Sequence, residues 1–407
     1  MVTMPSVPVL MHRRILLGVT GSIAAYKAAD LASQLTQAGA LVDVVLSEAA
    51  QRFVSPLTFA SVTGRRAYTD SDLWGPDSHL LHVDLGRSAE AVLVAPATAH
   101  TLAKLAAGHA DTLLCLAALA ARGPLLLAPA MDAGMFEHPA TQANLDLLRG
   151  RGAFVLGPAE GRMASGLTGL GRLLEPDELV GWVRRILGRD GGLAGRSVIV
   201  TAAGTHEPID PVRVVANRSS GRQGFALAQA AIDRGASVTL ISGPSALATP
   251  VGAERVDVVT AGEMQQAVLS RLDGTDALLM AAAVADFRAE PAGQKIKRAK
   301  GELSLTLRPT EDILALVAQR RKKGSRPQVV VGFAAESQDL VANARLKARE
   351  KGLDLIVAND ILAPDAGFAV ETNRVTLIDA SGAVQELPLM TKSEVAEVVL
   401  ARVEGLL

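Results

Sequence analysis

One cysteine, two tryptophans and two tyrosines are all that 407 residues hold of these types. A single thiol, Cys115, permits no intrachain disulfide, which fits a reducing compartment. Its setting in the apolar helical run TLLCLAALAA reads as a core position without a catalytic role. Excess charge is missing as well, because 41 Lys+Arg against 42 Asp+Glu leave a formal net charge of −1. No global basic field can hold a nucleic-acid backbone, so any anion site must be local. Apolar runs such as 112–121 fall well short of the ~20 residues that a membrane span needs. The opening stretch MVTMPSVPVLMHRR puts its basic pair after the apolar part, the reverse of a secretory signal. These absences lead us to expect a soluble, cytoplasmic protein with small-molecule partners.

Against them stand 49% hydrophobic and only 20% charged residues, the composition of a globular chain long enough for two or three domains. Residues 14–19, 41–46, 91–95 and 125–129 read as buried strands. A helix is expected from Ile23 to Ala38, with Ser22 as N-cap and Gly39 as its stop. The four glycines of 186–197 break the pattern and suggest a linker over 188–195. Strands then return at 197–203, 237–242, 276–281, 328–333 and 353–358, with helices at 221–234, 312–321 and 339–351. The expected fold is α/β, two successive Rossmann-like domains over 13–187 and 196–407 with parallel sheets. The halves share this grammar but repeat no motif.

In the first half, small and hydroxyl residues gather at strand ends. Gly21 and Ser22 follow the first strand, Ser47 the second, Ala97 and Thr98 the third, and Met131 and Asp132 the fourth. Open α/β sheets bind ligands at that edge, and a helix N-terminus attracts phosphate. On residues alone, the first turn is equally a plain strand–helix junction. The set GVTGSIAAYK, VVLSEAAQRF, VAPATAHTLAKLAAG, PAMDAGMFEHPATQANL and RMASGLTGLGRL resembles the flavin-dependent cysteine decarboxylase family over nearly the whole half. The resemblance implies a flavodoxin-like flavoprotein domain binding FMN, which oxidises the cysteine side chain so that the carboxylate leaves as carbon dioxide and then re-reduces the product. It also implies that His82 in LLHVDLG assists oxidation, with the nearby His79 not chosen, and that a clamp runs through Gly166, Gly169, Gly171 and Arg172. Two positions depart from the family. Asp132 stands where an Asn usually donates to the substrate carboxylate, and Ser165 where a Cys often delivers the final proton. An ionised Asp only accepts hydrogen bonds, and a hydroxyl is a far weaker acid than a thiol of pKa about 8.5. A modified proton route is therefore expected; the alternative is an FMN-binding domain with weak or no decarboxylase activity and a regulatory or structural role, fused to an active second half.

In the second half, Asn217-Arg-Ser-Ser-Gly221 leads into a helix, a good N-cap or a phosphate cradle, with Arg213 nearby. The basic run Lys295-Ile-Lys-Arg298 suits either a solvated loop or a mobile lid over a triphosphate. Lys347 and Lys351 lie one turn apart on one helical face. TAAGTHEPIDPVRVVANRSSGRQG, AAVADFR, QKIK, EDIL, VGFAAES and KAREKGLDLIVAND resemble phosphopantothenate–cysteine ligase over essentially the whole half. Fused in this order, the two halves resemble the bifunctional family of coenzyme A biosynthesis. The resemblance implies that CTP activates 4'-phosphopantothenate as an acyl-cytidylate and that the amine of L-cysteine displaces CMP. It assigns Asn217 to holding the intermediate, Arg213 to the second half-reaction, and Lys295 to charge stabilisation during activation. The CTP pocket would comprise Met280, Ala281, Ala282, Asp286, Glu311, Asp312, Ile313, Leu314, Phe333, Lys347 and Lys351, where Glu311 replaces a usual Pro. Magnesium is expected with the triphosphate, without a dedicated protein cage. Trimers through the flavin domain and dimers through the ligase domain are also implied. A dinucleotide-dependent oxidoreductase would need GxGxxG with an acid ~20 residues on, and neither half has that arrangement.

Overall fold

Leucine- and valine-rich runs form the central strands. The computed structural model describes residues 7–75, 80–297, 304–322, 326–336, 339–360 and 370–407. The chain divides after Leu187 into two units. In the first, β1 (Arg14–Val19), β2 (Leu41–Leu46), β3 (Ala67–Thr69), β4 (Ala91–Ala97), β5 (Leu125–Pro129) and β6 (Phe154–Val155) form one parallel sheet in the order β3-β2-β1-β4-β5-β6. That is the Rossmann order; a flavodoxin-type sheet would run 2-1-3-4-5. Along β1, Ile15, Leu17 and Val19 enter one core while Leu16 enters the other. The strand is buried on both faces because helices cover both.

Those helices are α1 (Ala25–Gln37), α2 (Pro56–Thr63), α3 (Leu81–Ser88), α4 (Ala99–Ala107), α5 (Leu113–Ala120), α6 (Ala133–Glu137), α7 (Pro139–Gly150) and α8 (Pro176–Gly188). Ser22 does not cap α1 as expected. Residues 22–24 make a turn in which Ser22 Oγ accepts from Ala24 N at 3.3 Å, and the helix starts two residues later than expected, at Ala25. A hairpin of β7 (Ala159–Arg162) and β8 (Thr168–Arg172) is fastened to the end of β5 by Met131 N donating to Gly171 O at 3.0 Å.

The second unit repeats the layout. β9 (Ser197–Ala202), β12 (Ser237–Ser242), β13 (Ala253–Asp257), β14 (Ala277–Met280), β17 (Val329–Glu336) and β18 (Leu355–Asp360) run parallel in the order β13-β12-β9-β14-β17-β18. Antiparallel β20 (Val375–Asp379) and β21 (Val384–Glu386) extend that edge. Helices α9 (Arg222–Ile232), α10 (Ala261–Leu269), α11 (Ile313–Arg321), α12 (Leu340–Glu350) and α13 (Lys392–Leu406) flank the sheet. Four short strands pair outside it: β10 (His206–Pro208) with β11 (Val214–Ala216), and β15 (Phe287–Ala289) with β16 (Leu307–Pro309). A last pair joins β19 (Thr372–Asn373) to β22 (Met390–Thr391).

Residues 188–195, expected as a linker, pack onto the second unit. Leu193 is fully buried in its core, and its N–H donates to Arg234 O at 2.9 Å. A Cβ on Gly188 would lie 2.2 Å from Asp233 O, so the glycine permits a close backbone approach rather than a flexible tether.

Asp276 ties three segments of this unit together. Its carboxylate accepts from Ser197 N at 2.8 Å and pairs with Arg326 and, at 3.6 Å, Arg196. Burial pushes its pKa up, but the Ser197 N–H and the two guanidinium groups outweigh this and hold it below the usual carboxylate range. A depressed folded-state pKa contributes stability above the unfolded value of about 3.9, and that contribution is lost as pH falls through the folded value. Asp276→Asn should therefore cost about 2 kcal/mol near neutrality and progressively less below about pH 4. Urea midpoints of both proteins across that range check this; a constant gap would contradict it.

Candidate functional site

In a sheet of this order, ligands bind where β1 and β4 diverge, outside the carboxyl ends of the strands. A cleft of about 1120 Å³ lies there in the first unit, lined by Gly21, Ser22, Ser47, Thr98, Met131, Asp132 and Ser165. Thr20 Oγ1 donates to Pro96 O at 2.6 Å and accepts from Thr98 N at 3.2 Å, tying the ends of β1 and β4 together. Thr98 also caps α4, accepting from Thr101 N at 3.3 Å. A Cβ on Gly21 would come within 2.4 Å of Ala49 Cβ, so glycine lets this turn pack closely on the segment after β2. Two expected residues stand elsewhere. Ala97 is fully buried as the last residue of β4, a strand covered on both faces, and its side chain packs into the core. His82, on α3, is not among the residues lining the cleft of its own chain. His79 lies outside the described residues. Of the expected clamp, Gly171 and Arg172 line the cleft, while Gly166 and Gly169 do not.

The two departures meet. Ser165 Oγ donates to Asp132 Oδ2 at 2.6 Å, and Asp132 Oδ1 accepts from Gly134 N at 3.1 Å. Asp132 is the N-cap of α6, and Ser165 sits between β7 and β8, so the bond latches the hairpin across the cleft mouth. Nothing in the sequence signalled that these positions touch. At the cleft's edge, Lys27 pairs with the exposed Glu175 at 2.6 Å and Lys104 with the exposed Asp111 at 2.7 Å. Burial pushes the Asp70 carboxyl up, opposed by the Leu113 N–H that donates to it at 2.8 Å. Burial likewise pushes the Cys115 thiol up, which makes it a poor nucleophile although it lines the cleft floor. The cleft exceeds the ~300–1,000 Å³ typical of a drug-sized ligand site. Hydroxyls of Ser22, Ser47 and Thr98 near the N-termini of α1 and α4 suit a phosphate, and Ile23, Leu114 and Met131 suit a planar ring. These residues fit FMN.

The second unit has a cleft of about 480 Å³ outside the carboxyl ends of β14, β17 and β18, beside the start of α9. Asn217, Ser219, Ser220 and Gly221 line it before α9, joined by Met280, Ala281, Ala282, Asp286, Glu311, Asp312, Ile313, Leu314, Phe333, Lys347 and Lys351. Asn217 Nδ2 donates to Val284 O at 3.0 Å, which fixes its amide against the 281–286 segment. Lys351 pairs with Asp312 at 2.8 Å, and Asp312 caps α11 by accepting from Ala315 N at 3.1 Å. Burial raises the Asp312 pKa, but Lys351 and the Ala315 N–H outweigh it and hold the group ionised to lower pH. Glu311 accepts from Gln265, so the residue in place of a proline is anchored to α10.

Arg213 and Lys295 do not line this cleft. Arg213 Nη1 instead donates to Asp210 Oδ2 at 3.0 Å and to Ile296 O at 3.1 Å. Lys295 is exposed, and Arg298 lies outside the described residues. Residues that motif reading missed also line the cleft: Asn359, Asn373 and Lys392, the last only 6% exposed. Burial, then the neighbouring Arg222, pull the Lys392 ammonium pKa down, with Glu371 opposing. A lone lysine opening a helix carries no sequence signal of such a position. Among the described residues no three His, Cys, Asp or Glu side chains gather as metal ligands, and no helix is long and apolar enough to cross a membrane.

Residues 193–406 match the DNA/pantothenate metabolism flavoprotein C-terminal domain family, and residues 8–188 match the flavoprotein family. The coenzyme A biosynthesis bifunctional protein CoaBC of Bacillus subtilis (strain 168) is 43% identical over 401 residues, 98% of each chain. Its counterpart in Mycobacterium tuberculosis (strain ATCC 25618 / H37Rv) is 44% identical over 397 residues, 94% of each. A cysteine/cysteine sulfinic acid decarboxylase of an unknown prokaryotic organism is 44% identical over 358 residues, 86% of this chain and 98% of that protein. The chain belongs to the family of bifunctional CoaBC enzymes of coenzyme A biosynthesis.

Proposed function

We propose that the second unit ligates L-cysteine to 4'-phosphopantothenate at the expense of CTP, and that the first unit decarboxylates the product to 4'-phosphopantetheine with FMN. The single observation that carries this reading is the convergence of Asn217, Asp286, the 311–314 turn, Phe333, Lys347 and Lys351 on one cleft beside the α9 N-terminus.

In the ligase unit, N–H groups at the start of α9 cradle the triphosphate, aided by the positive end of the helix. The substrate carboxylate attacks the α-phosphorus, pyrophosphate leaves, and Lys295 balances the charge that builds between them. Asn217 then holds the acyl-cytidylate while the cysteine amine attacks its carbonyl and CMP departs. Magnesium would travel with the triphosphate, held mainly by phosphate oxygens and waters, and would neutralise charge on the leaving pyrophosphate; Asp286 is an acid of the cleft that could approach it.

In the flavin unit, Gly21, Ser22, Ser47 and Thr98 would hold the phosphate end of FMN, and Met131 would adjoin its ring. When bound, FMN supplies a two-electron couple at the thiol-bearing carbon. Asp132 and Ser165 close the hairpin over the substrate. His82, absent from its own cleft, serves the cleft of a neighbouring copy in a trimer, while the ligase units pair as dimers. Trp74, 92% exposed just before α3, is the kind of surface aromatic that such an interface covers. Mixing His82→Asn with Asp132→Ala subunits tests this sharing. Each mutant alone has no intact cleft, and random assortment restores about a quarter of them. No recovery on mixing sinks the shared-site reading. We infer a cytoplasmic location for the enzyme.

Incubation with 4'-phosphopantothenate, cysteine and CTP, followed by mass analysis, separates the two activities. Phosphopantothenoylcysteine must form first and then lose 44 mass units as carbon dioxide. Decarboxylation of free cysteine instead would overturn the proposed substrate of the first unit.

A further inference from the structure

The loop that carries Lys295 is fastened at two points to the turn between β10 and β11. Ala292 N donates to Ile209 O at 2.9 Å. Four residues on, both backbone polar groups of Ile296 are taken: its N–H donates to Asp210 Oδ2 at 3.1 Å, and its carbonyl accepts from Arg213 Nη1 at 3.1 Å. Asp210 is built for this. Its side chain is fully buried, and its other oxygen accepts from Val212 N at 2.8 Å and Arg213 N at 2.9 Å. Arg213 Nη1 completes the group with a 3.0 Å bond to the carboxylate. A buried carboxylate with this many donors is rigid, because each donor it loses leaves a polar group unpaired. Burial works against ionisation of Asp210, but the N–H groups of Val212, Ile296 and Arg213 prevail and keep it an acceptor.

Lys295 thus lies between two tethers, on a stretch whose flanking strands β15 and β16 lead directly to Asp286 and Thr310 in the cleft. The same turn continues through β11 to Asn217, which is bonded to the cleft wall at Val284. We propose that Asp210, with Arg213, is a positioning residue for activation: it clamps the backbone of Ile296 so that Lys295 is presented to the cleft from a fixed root. The β10–β11 hairpin then acts as one strut, with the activation cation held at one end and Asn217 at the other. This rests on the reading of Lys295 as the activating cation.

The test uses the full chain with Asp210→Asn, Lys295→Ala and the double variant. Asp210→Asn should lower the turnover of pyrophosphate release by about 10-fold, the scale of a misplaced catalytic group, with little change in the KM for CTP. It should also speed tryptic cleavage of the Lys295–Ile296 bond about 10-fold, because cleavage tracks local opening. In the Lys295→Ala background, Asp210→Asn should cost nothing further, since the clamp acts only through Lys295. A general structural defect would multiply the two losses instead. If Asp210→Asn fails to fold, Arg213→Lys keeps the charge beside Asp210 while losing the fork to the Ile296 carbonyl, and should show the same lack of additivity. Unchanged cleavage at Lys295, or losses that multiply, overturns the clamp. Full pyrophosphate release by Lys295→Ala alone overturns the underlying reading, a result separable from the other two.

Discussion

Lys295→Ala should lower pyrophosphate release from CTP and 4'-phosphopantothenate by about 10²-fold or more, the effect of removing one charge partner from a phosphoryl or acyl transfer. The argument is electrostatic. Attack of a carboxylate on the α-phosphorus brings an anion against an anion, and the leaving pyrophosphate gains charge as its bond breaks. Helix α9 offers only the partial charge of its N-terminus, roughly half an elementary charge. Among the described residues five cationic ones line the cleft: Lys351 is committed to Asp312 at 2.8 Å, Arg222 pairs with Glu371, Lys392 lies buried beside Arg222, and Arg218 and Lys347 stand just before α9 and on α12. Lys295 is exposed on a loop fastened nearby, free to move onto the substrate. Because the cation acts in the transition state, the loss should fall on turnover more than on the KM for CTP. Stopped-flow detection of pyrophosphate checks this, and wild-type release by the mutant would return the 295–297 run to a solvated loop.

Ser165→Ala and Asp132→Ala should each slow carbon dioxide release from phosphopantothenoylcysteine by about 10²-fold, at the lower end of what a positioned proton-transfer group contributes. The double variant should be no slower than the worse single one. Net decarboxylation exchanges a carbon–carbon bond for a carbon–hydrogen bond and takes up one proton, so the cleft needs a proton route. A lone Asp132 carboxylate would repel the substrate carboxylate, and a lone serine hydroxyl is a weak acid. Joined at 2.6 Å, the two side chains fix each other's orientation in the cleft, so neither group functions without the other. Residues that act as a unit give non-additive losses. The comparison is made by single-turnover carbon dioxide release at matched flavin absorbance, which confirms that each variant keeps its cofactor. Losses that multiply would show two independent roles.

Much of this architecture was legible in the sequence. The core strands 14–19, 41–46, 125–129 and 237–242 stand where their apolar runs ended, because a strand buried on both faces must be hydrophobic throughout. The crevice at the strand ends followed from the same grammar, since small and hydroxyl residues there serve no core. Short antiparallel pairs escaped notice. β7–β8, β10–β11 and β15–β16 are each three to five residues long, largely exposed, and too short for any period. Their place comes from the surfaces they lie on. The glycines of 188–195 misled for a related reason: glycine marks close approach as readily as flexibility, and only the packing on Asp233 distinguishes them.

By itself the sequence determined the two α/β units, the strand ends that hold ligands, and the residue types in each cleft. These depend on local pattern and on strand-to-helix order. Tertiary structure alone decided which side chains meet. It joined Ser165 to Asp132 across 33 residues, and tied Arg213 and Asp210 to Ile296 across more than 80. It also left His82 outside its own cleft. Such contacts are made by loops that local pattern does not constrain, and whose positions depend on the packed sheet beneath them.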